Sequence, residues 1–142
     1  VRAERIDTLF SLLSPLCSIL SILAMKHFLL YPMAAFYIFA GVMHFVKPKP
    51  FRRIVPPYLP AHELLVALSG AAEIAVGIGL LIPATRVWAA WGLIALLIAV
   101  FPANVYMAYG EKFQSISPWI RWGRLPVQAV LIWWAYAYTK TG

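Results

Sequence analysis

Four long apolar runs constrain what this chain can fold into. They cover residues 27–46, 63–82, 87–109 and 125–139. An α-helix rises ~1.5 Å per residue and the hydrocarbon core of a bilayer is ~30 Å thick, so ~20 mostly apolar residues cross it as a helix. The pattern therefore predicts an all-α integral membrane protein, an antiparallel four-helix bundle with short connections.

The composition argues against an ordinary soluble domain. Hydrophobic residues make up 63% of the 142 residues and charged residues only 12%, whereas soluble domains carry ~25% charged residues. The net charge is +7, and the basic residues form short clusters between the apolar runs. This arrangement is typical of loops that face anionic lipid, and no motif indicates nucleic acid. We expect the lipid bilayer as the partner, and a multi-pass membrane protein.

Lysine and arginine are distributed unevenly between the two sides of such a bundle. The first and third loops share one side and hold seven of these residues, namely Lys47, Lys49, Arg52, Arg53, Lys112, Arg121 and Arg124. The opposite side holds three, namely Lys26, Arg86 and Lys140. Because basic loops stay in the cytoplasm, the first side is predicted to be cytoplasmic.

Residues 1–24 are an N-terminal extension that the apolar pattern does not place. They are apolar but contain several serines and Pro15. Three alternatives are open for this extension. It is a fifth span that turns at Met25-Lys26-His27, a helix on the membrane surface, or a segment upstream of a natural start at Met25. In each case residues 25–142 make up the transmembrane domain.

The first loop, residues 47–62, contains five prolines. This density excludes a long helix and favours extended backbone, so we expect the loop to lie on the membrane surface or over the mouth of the bundle. Arg52 and Arg53 in this loop are candidate binding residues. The second loop, residues 83–86, is so short that the second and third runs must form an antiparallel hairpin.

Glu73 lies near the middle of the second run. A charged side chain at the bilayer midplane costs ~2.5–3.5 kcal/mol, and intramembrane carboxylates are therefore candidates for function. Glu73 shares one helix face with Ser69, Gly70 and Gly77, and small residues let helices approach closely. A second stripe of small residues contains Ala67, Ala71, Ala75 and Gly79. We therefore expect both faces to be packed and Glu73 to face inward.

Four further polar residues fall in the cytoplasmic half of the predicted bundle. They are His44, Asn104, Gln128 and Arg124. Counting along each run predicts a ladder in depth, with Arg124 and His44 shallow, Asn104 and Gln128 deeper, and Glu73 deepest. For each residue of the ladder alone, a structural hydrogen bond is the better explanation, but the coincidence of all five on one half favours a candidate intramembrane site. The spacing of the histidines and the single cysteine predict no metal site.

The sequence resembles the DoxX family of small bacterial membrane proteins over residues 25–138. The pieces that carry the resemblance include Gly41-Val-Met-His44-Phe45, Phe51-Arg52-Arg53, Ser69-Gly70-Ala-Ala-Glu73, Phe101-Pro102-Ala103-Asn104 and Arg124-Leu-Pro126-Val-Gln128. The resemblance implies a four-helix membrane fold. It also implies an association with membrane redox systems such as thiosulfate–quinone oxidoreductase, although most members of that family have no assigned reaction.

Three functions follow as hypotheses. The first is an accessory subunit of a quinone-linked redox system, in which His44, Asn104 or Gln128 binds a quinone, Glu73 handles protons, and a redox partner protein supplies electrons. The second is a non-enzymatic assembly protein or scaffold for a membrane-protein client. The third is a small transporter or proton path, formed as a homo-oligomer. No cofactor is expected on the chain alone, and no self-contained catalytic motif decides whether it is an enzyme.

Overall fold

The computed structural model describes residues 1–140, except for the side chain of Arg2. Within that range the chain is all α, as predicted, and contains no strand. The helices are α1 (Arg2–Val46), α2 (Pro48–Ile54), α3 (His62–Leu81), α4 (Arg86–Tyr109) and α5 (Pro118–Tyr136), with a 3₁₀ turn at Glu111–Phe113.

Three of these helices are long and apolar enough to cross a membrane, namely α1 over Ala3–Val46, α3 and α4. This is consistent with the prediction of a membrane protein with transmembrane helices. Helix α5 is 19 residues long, but it carries two arginines and a glutamine and is not among the candidate spans. The fourth span therefore remains a prediction.

The chain divides into two compact units, Val1–Met33 and the residues from Ala34 onward. In the first unit the backbone is helical through Met25, Lys26 and His27, so the prediction of a fifth span that turns there is wrong. The serines do not break the helix because their hydroxyls bond to carbonyls of the preceding turn. Ser18 donates to the carbonyl of Ser14 over 3.0 Å, and Ser21 donates to that of Ser18 over 2.9 Å.

In the second unit, α1 and α3 approach each other through glycines. A Cβ added at Gly70 would lie 2.6 Å from Cβ of His44, and one added at Gly41 would lie 2.5 Å from the carbonyl oxygen of Gly70. Gly77 meets the backbone of α1 in the same way, 3.0 Å from the carbonyl of Ala34. The face of α3 that carries Glu73 is therefore its contact face with α1.

Helices α3 and α4 form the predicted hairpin. Thr85 donates to the carbonyl of Gly79 and Arg86 to that of Leu80, each over 2.9 Å, so the side chains of the link satisfy the last carbonyls of α3. The second small-residue stripe does not behave as predicted. A Cβ at Gly79 would lie 2.9 Å from Cβ of Ala89 on α4, but Ala71 and Ala75 are exposed, so α3 is not packed along its whole second face.

The first loop departs from the predicted extended backbone, because Pro48–Ile54 is helical. The helix begins with Pro48, where the missing backbone N–H removes no intrahelical hydrogen bond. It ends before Val55, whose backbone is extended, as expected for a residue that precedes a proline. Arg52 forms an ion pair with Glu63, which connects α2 to α3.

The last helix begins at Pro118 and not at Leu125, and it ends at Tyr136 and not at Thr139. The predicted start was late because we assigned Arg121 and Gly123 to a loop. Arg121 is only 6% exposed. Its guanidinium donates to the carbonyls of Ile116 over 3.1 Å and Ala108 over 3.2 Å, so this arginine joins α5 to the end of α4.

Candidate functional site

A cavity of about 560 Å³ lies in the second unit. Its wall combines residues from the C-terminal part of α1 with residues from α2, α3, α4 and α5, and most of this wall is apolar, including Phe36, Leu65, Leu97, Val100, Val127 and Leu131. Small-molecule sites in proteins commonly measure ~300–1,000 Å³ and are mostly apolar with a few polar groups. The cavity therefore has the size and the chemistry of a ligand site.

The five residues of the predicted intramembrane site all line this cavity. They are Glu73, His44, Asn104, Gln128 and Arg124. They come from four helices and are distant in sequence, so the fold brings them together. Arg52 and Arg53, the two loop candidates, do not line it. They line a separate, open depression.

Glu73 and His44 lie side by side in the wall. Oε2 of Glu73 is 3.4 Å from Nδ1 of His44, and their side chains are 13% and 10% exposed. That nitrogen also lies 2.8 Å from the carbonyl oxygen of Ala40. Because a carbonyl oxygen can only accept, Nδ1 carries the proton and donates a hydrogen bond to the carbonyl of Ala40. Nδ1 has no second proton for Glu73, and Oε2 of Glu73 is buried without a hydrogen-bond partner.

The contact between Glu73 and His44 corrects the predicted ladder. We expected His44 to be shallow and Glu73 deepest, but the two side chains are neighbours. The error has a physical reason. Depth was counted along each helix separately, whereas the close approach of Gly41 and Gly70 sets the register of α1 against α3.

Tyr37, seven residues before His44 on α1, is a residue of the site that is absent from the predicted set. It lines the cavity and is 3% exposed. Its hydroxyl is buried and, within the described residues, has no hydrogen-bond partner. An unsatisfied buried polar group costs ~1–3 kcal/mol. Tyr37 and Glu73, which both line the cavity, thus each carry one such group, the hydroxyl and Oε2.

Asn104 and Gln128 have partners of their own. Nδ2 of Asn104 donates to Oε1 of Gln128 over 2.6 Å, and Nε2 of Gln128 donates to the carbonyl of Leu97. This chain of hydrogen bonds joins α5 to α4. Both residues line the cavity, but their first role is to hold its two helices in place.

Arg124 and α2 border the cavity. Arg124 is exposed, and its guanidinium donates over 2.9 Å to the sulfur of Met107, which is a weak acceptor. On α2, the ring of Phe51 stacks on His44 with centroids 3.8 Å apart. Phe51, Ile54 and Val55 contribute to the wall, so α2 covers one side of the cavity, in accord with the expectation that the first loop folds over the bundle.

Comparison with protein families identifies the chain and corrects the DoxX resemblance. The matching family is described as Domain of unknown function (DUF8561), over residues 33–139, and no curated protein and no solved structure matches the chain. The resemblance misled us because its pieces consist largely of small residues, prolines and single polar residues, which close packing in lipid favours in unrelated proteins. Since the match covers well over half of the sequence, the chain belongs to the family Domain of unknown function DUF8561.

Proposed function

We propose that this protein is a four-span membrane protein that binds a small, mostly apolar molecule through a polar head group. The observation that carries the proposal is that two residues in the lining of one apolar cavity, Tyr37 and Glu73, each carry a buried polar atom without a hydrogen-bond partner. A ligand that supplies hydrogen bonds to both atoms removes a free-energy cost that the empty protein carries.

The two groups limit the chemistry of the head group. The hydroxyl of Tyr37 donates, so the ligand needs an acceptor such as a carbonyl or hydroxyl oxygen. The carboxyl of Glu73 accepts when it is ionised and also donates when it is protonated. A quinone or its hydroquinone meets both requirements, dissolves in the bilayer, and offers a ring with a short apolar tail to a cavity of this size.

Binding of a quinone supports an accessory role in a membrane redox system. In this role the protein holds the quinone and a partner protein supplies the electrons. The part of this hypothesis that came from the DoxX resemblance is withdrawn, and what remains rests on the cavity. We place α2 and the 3₁₀ turn on the cytoplasmic side of a bacterial inner membrane, since their lysines and arginines outnumber those on the opposite side.

A second candidate is favoured by one observation, the exposed alanines of α3. Ala71 and Ala75 are one helical turn apart and exposed on a helix apolar enough to span a membrane. Small residues in such positions allow close approach of another transmembrane helix. A scaffold that holds a membrane-protein client, or a second copy of this chain, would use this face and not the cavity.

Neighbouring alanines on α3 provide a matched test. Ala72 lines the cavity, whereas Ala71 is exposed and does not. Each is replaced by leucine, the variants are purified in mild detergent, and small molecules that co-purify are identified by mass spectrometry. We expect the wild type and Ala71→Leu to retain the same apolar molecule and Ala72→Leu to lose it.

If the wild type, Ala71→Leu and Ala72→Leu all retain the same molecules, the claim that the cavity is the binding site would be contradicted. A change of oligomeric state or loss of a co-purifying protein in Ala71→Leu alone would favour the second candidate. Circular dichroism and thermal melting of each variant establish that it is folded.

A further inference from the structure

A second concave surface lies beside α2, outside the cavity. Four basic residues line it, namely Lys49, Arg52, Arg53 and Lys112, and His62 lies in the same lining. Val55 and Pro57 complete the lining. Three of the basic residues come from α2, but Lys112 belongs to the 3₁₀ turn. The cluster is therefore produced by the fold and is not merely a run of charges along the chain.

Little negative charge balances this cluster within the described residues. Glu63 forms an ion pair with Arg52 but is not part of the lining, and neither is Glu111, the sequence neighbour of Lys112. Lys49, Arg53 and Lys112 have no carboxylate partner among the ion pairs of the described chain. Like charges held around one concavity repel each other, and an anion between them relieves that repulsion.

The position of Lys112 is defined by its neighbours. Its ammonium group lies 4.9 Å from the ring centre of Tyr106 and 5.2 Å from that of Phe113, and Phe113 is only 2% exposed. Cation–π contacts of this length hold an ammonium group while leaving its donors free. Arg52 is likewise held by Glu63, so two of the four cations are already oriented before any ligand binds.

We propose that this depression binds the phosphate group of an anionic molecule, with Lys49, Arg53 and Lys112 as its ligands. Several cations from different elements around one depression suit the three or four oxygens of a phosphate. The phosphate belongs to the head group of a membrane lipid or to a soluble phosphate compound. The site is independent of the ligand in the cavity.

The test measures binding of short-chain lipids to the detergent-purified protein by native mass spectrometry. The probes are dioctanoylphosphatidylglycerol, which is anionic, dioctanoylphosphatidylcholine, which is zwitterionic, and inorganic phosphate. The variants are Arg53→Gln, Lys112→Gln and their combination. Lys47→Gln is the matched control, because it removes an exposed positive charge next to α2 that does not line the depression. Arg52 is left unchanged because its ion pair supports α2.

We expect the wild type to prefer phosphatidylglycerol over phosphatidylcholine. Each single variant should weaken binding of the anionic lipid about fivefold and the double variant about 25-fold, as expected for a basic residue near an anionic lipid surface. Lys47→Gln should stay within about twofold of the wild type. If inorganic phosphate binds as tightly as phosphatidylglycerol and shows the same response to the variants, the phosphate site is supported and its source is a soluble compound.

Two results would overturn the proposal. One is equal binding of the anionic and zwitterionic lipids together with no binding of phosphate. The other is a loss in Lys47→Gln as large as in Arg53→Gln, because net charge and not this depression would then explain the affinity. The single variants keep the test decisive if the double variant does not fold.

Discussion

Nδ1 of His44 lies 3.4 Å from Oε2 of Glu73, beside a close contact between α1 and α3 at Gly70. Cβ of His44 would be only 2.6 Å from a Cβ at Gly70, so the pair of polar side chains and the contact between the two helices share one location. The geometry of the candidate site therefore depends on glycines that carry no chemistry themselves. A change at these glycines affects stability and site geometry together.

Replacing Gly70 by alanine should destabilise the protein. The new methyl group would meet Cβ of His44 and, at 3.0 Å, the carbonyl oxygen of Gly41, and neither belongs to the end of a flexible side chain. Overpacking of this kind costs ~1–3 kcal/mol. Gly123→Ala is the control, because a Cβ there meets nothing within 4 Å, and alanine in a helix gains up to ~1 kcal/mol over glycine. Thermal melting in detergent should show a loss for the first variant only, and equal melting of both would refute the close approach.

Removing the hydroxyl of Tyr37 should weaken ligand binding without lowering the stability of the ligand-free protein. Because this hydroxyl is buried without a partner, Tyr37→Phe should leave the melting temperature of the ligand-free protein unchanged or raise it. The affinity for a decyl-substituted benzoquinone should fall about two- to tenfold, as expected for one lost hydrogen bond of ~0.5–1.5 kcal/mol. Tyr109→Phe, at an exposed position, should change neither quantity. A Tyr37→Phe protein that melts earlier and binds the quinone normally would assign the hydroxyl to packing.

Replacing Glu73 by glutamine should weaken binding without unfolding the protein. The amide keeps the shape of the side chain but forms weaker hydrogen bonds than an ionised carboxylate and cannot gain or lose a proton. We expect unchanged helix content and about tenfold weaker binding of the same quinone. Glu111→Gln removes an exposed carboxylate that does not line the cavity and should bind as the wild type does. Normal binding by Glu73→Gln would leave Glu73 with a purely structural role.

Helices long and apolar enough to cross a membrane, the α3–α4 hairpin and the inward face of Glu73 were predictable from the sequence, because they follow from apolar length and from the faces of single helices. Glu73 was expected to face inward since it shares a face with Gly70 and Gly77, and it does line the cavity. These properties belong to one helix at a time, so a periodic pattern is sufficient to reveal them.

What the sequence did not predict depends on how elements meet. The side-by-side position of His44 and Glu73 depends on the register between α1 and α3. Gly41 and Gly70, which are far apart in the sequence, set this register where the two helices touch. The pairing of Asn104 with Gln128 depends likewise on α4 and α5. The role of Arg121 was missed because a charge near a predicted loop was assigned to solvent, whereas backbone carbonyls satisfy it in the structure.

Cysteine labelling tests the orientation in the membrane. Lys49 and Lys112 line the same depression, so they must lie on one side, and the excess of basic residues there predicts the cytoplasm. In a Cys17→Ser background, cysteines at positions 49 and 112 should react with an impermeant reagent only after the cells are opened. A cysteine at position 140 should react in intact cells. The reverse pattern would invert the topology, and labelling of position 49 without position 112 would contradict the fold.

The claim that the cavity is the ligand site is tested most directly by photolabelling with a benzoquinone that carries an azide on a short tail. After irradiation in detergent, the labelled peptides are identified by mass spectrometry. We predict that the label falls on cavity residues such as Val66, Leu97 and Val100. Excess unlabelled quinone should compete the label away, and Ala72→Leu should abolish it while Ala71→Leu does not. A label spread over exposed apolar residues such as Phe10, Leu13 and Trp133, with no effect of competitor or of Ala72→Leu, would show that the cavity does not bind this class of molecule.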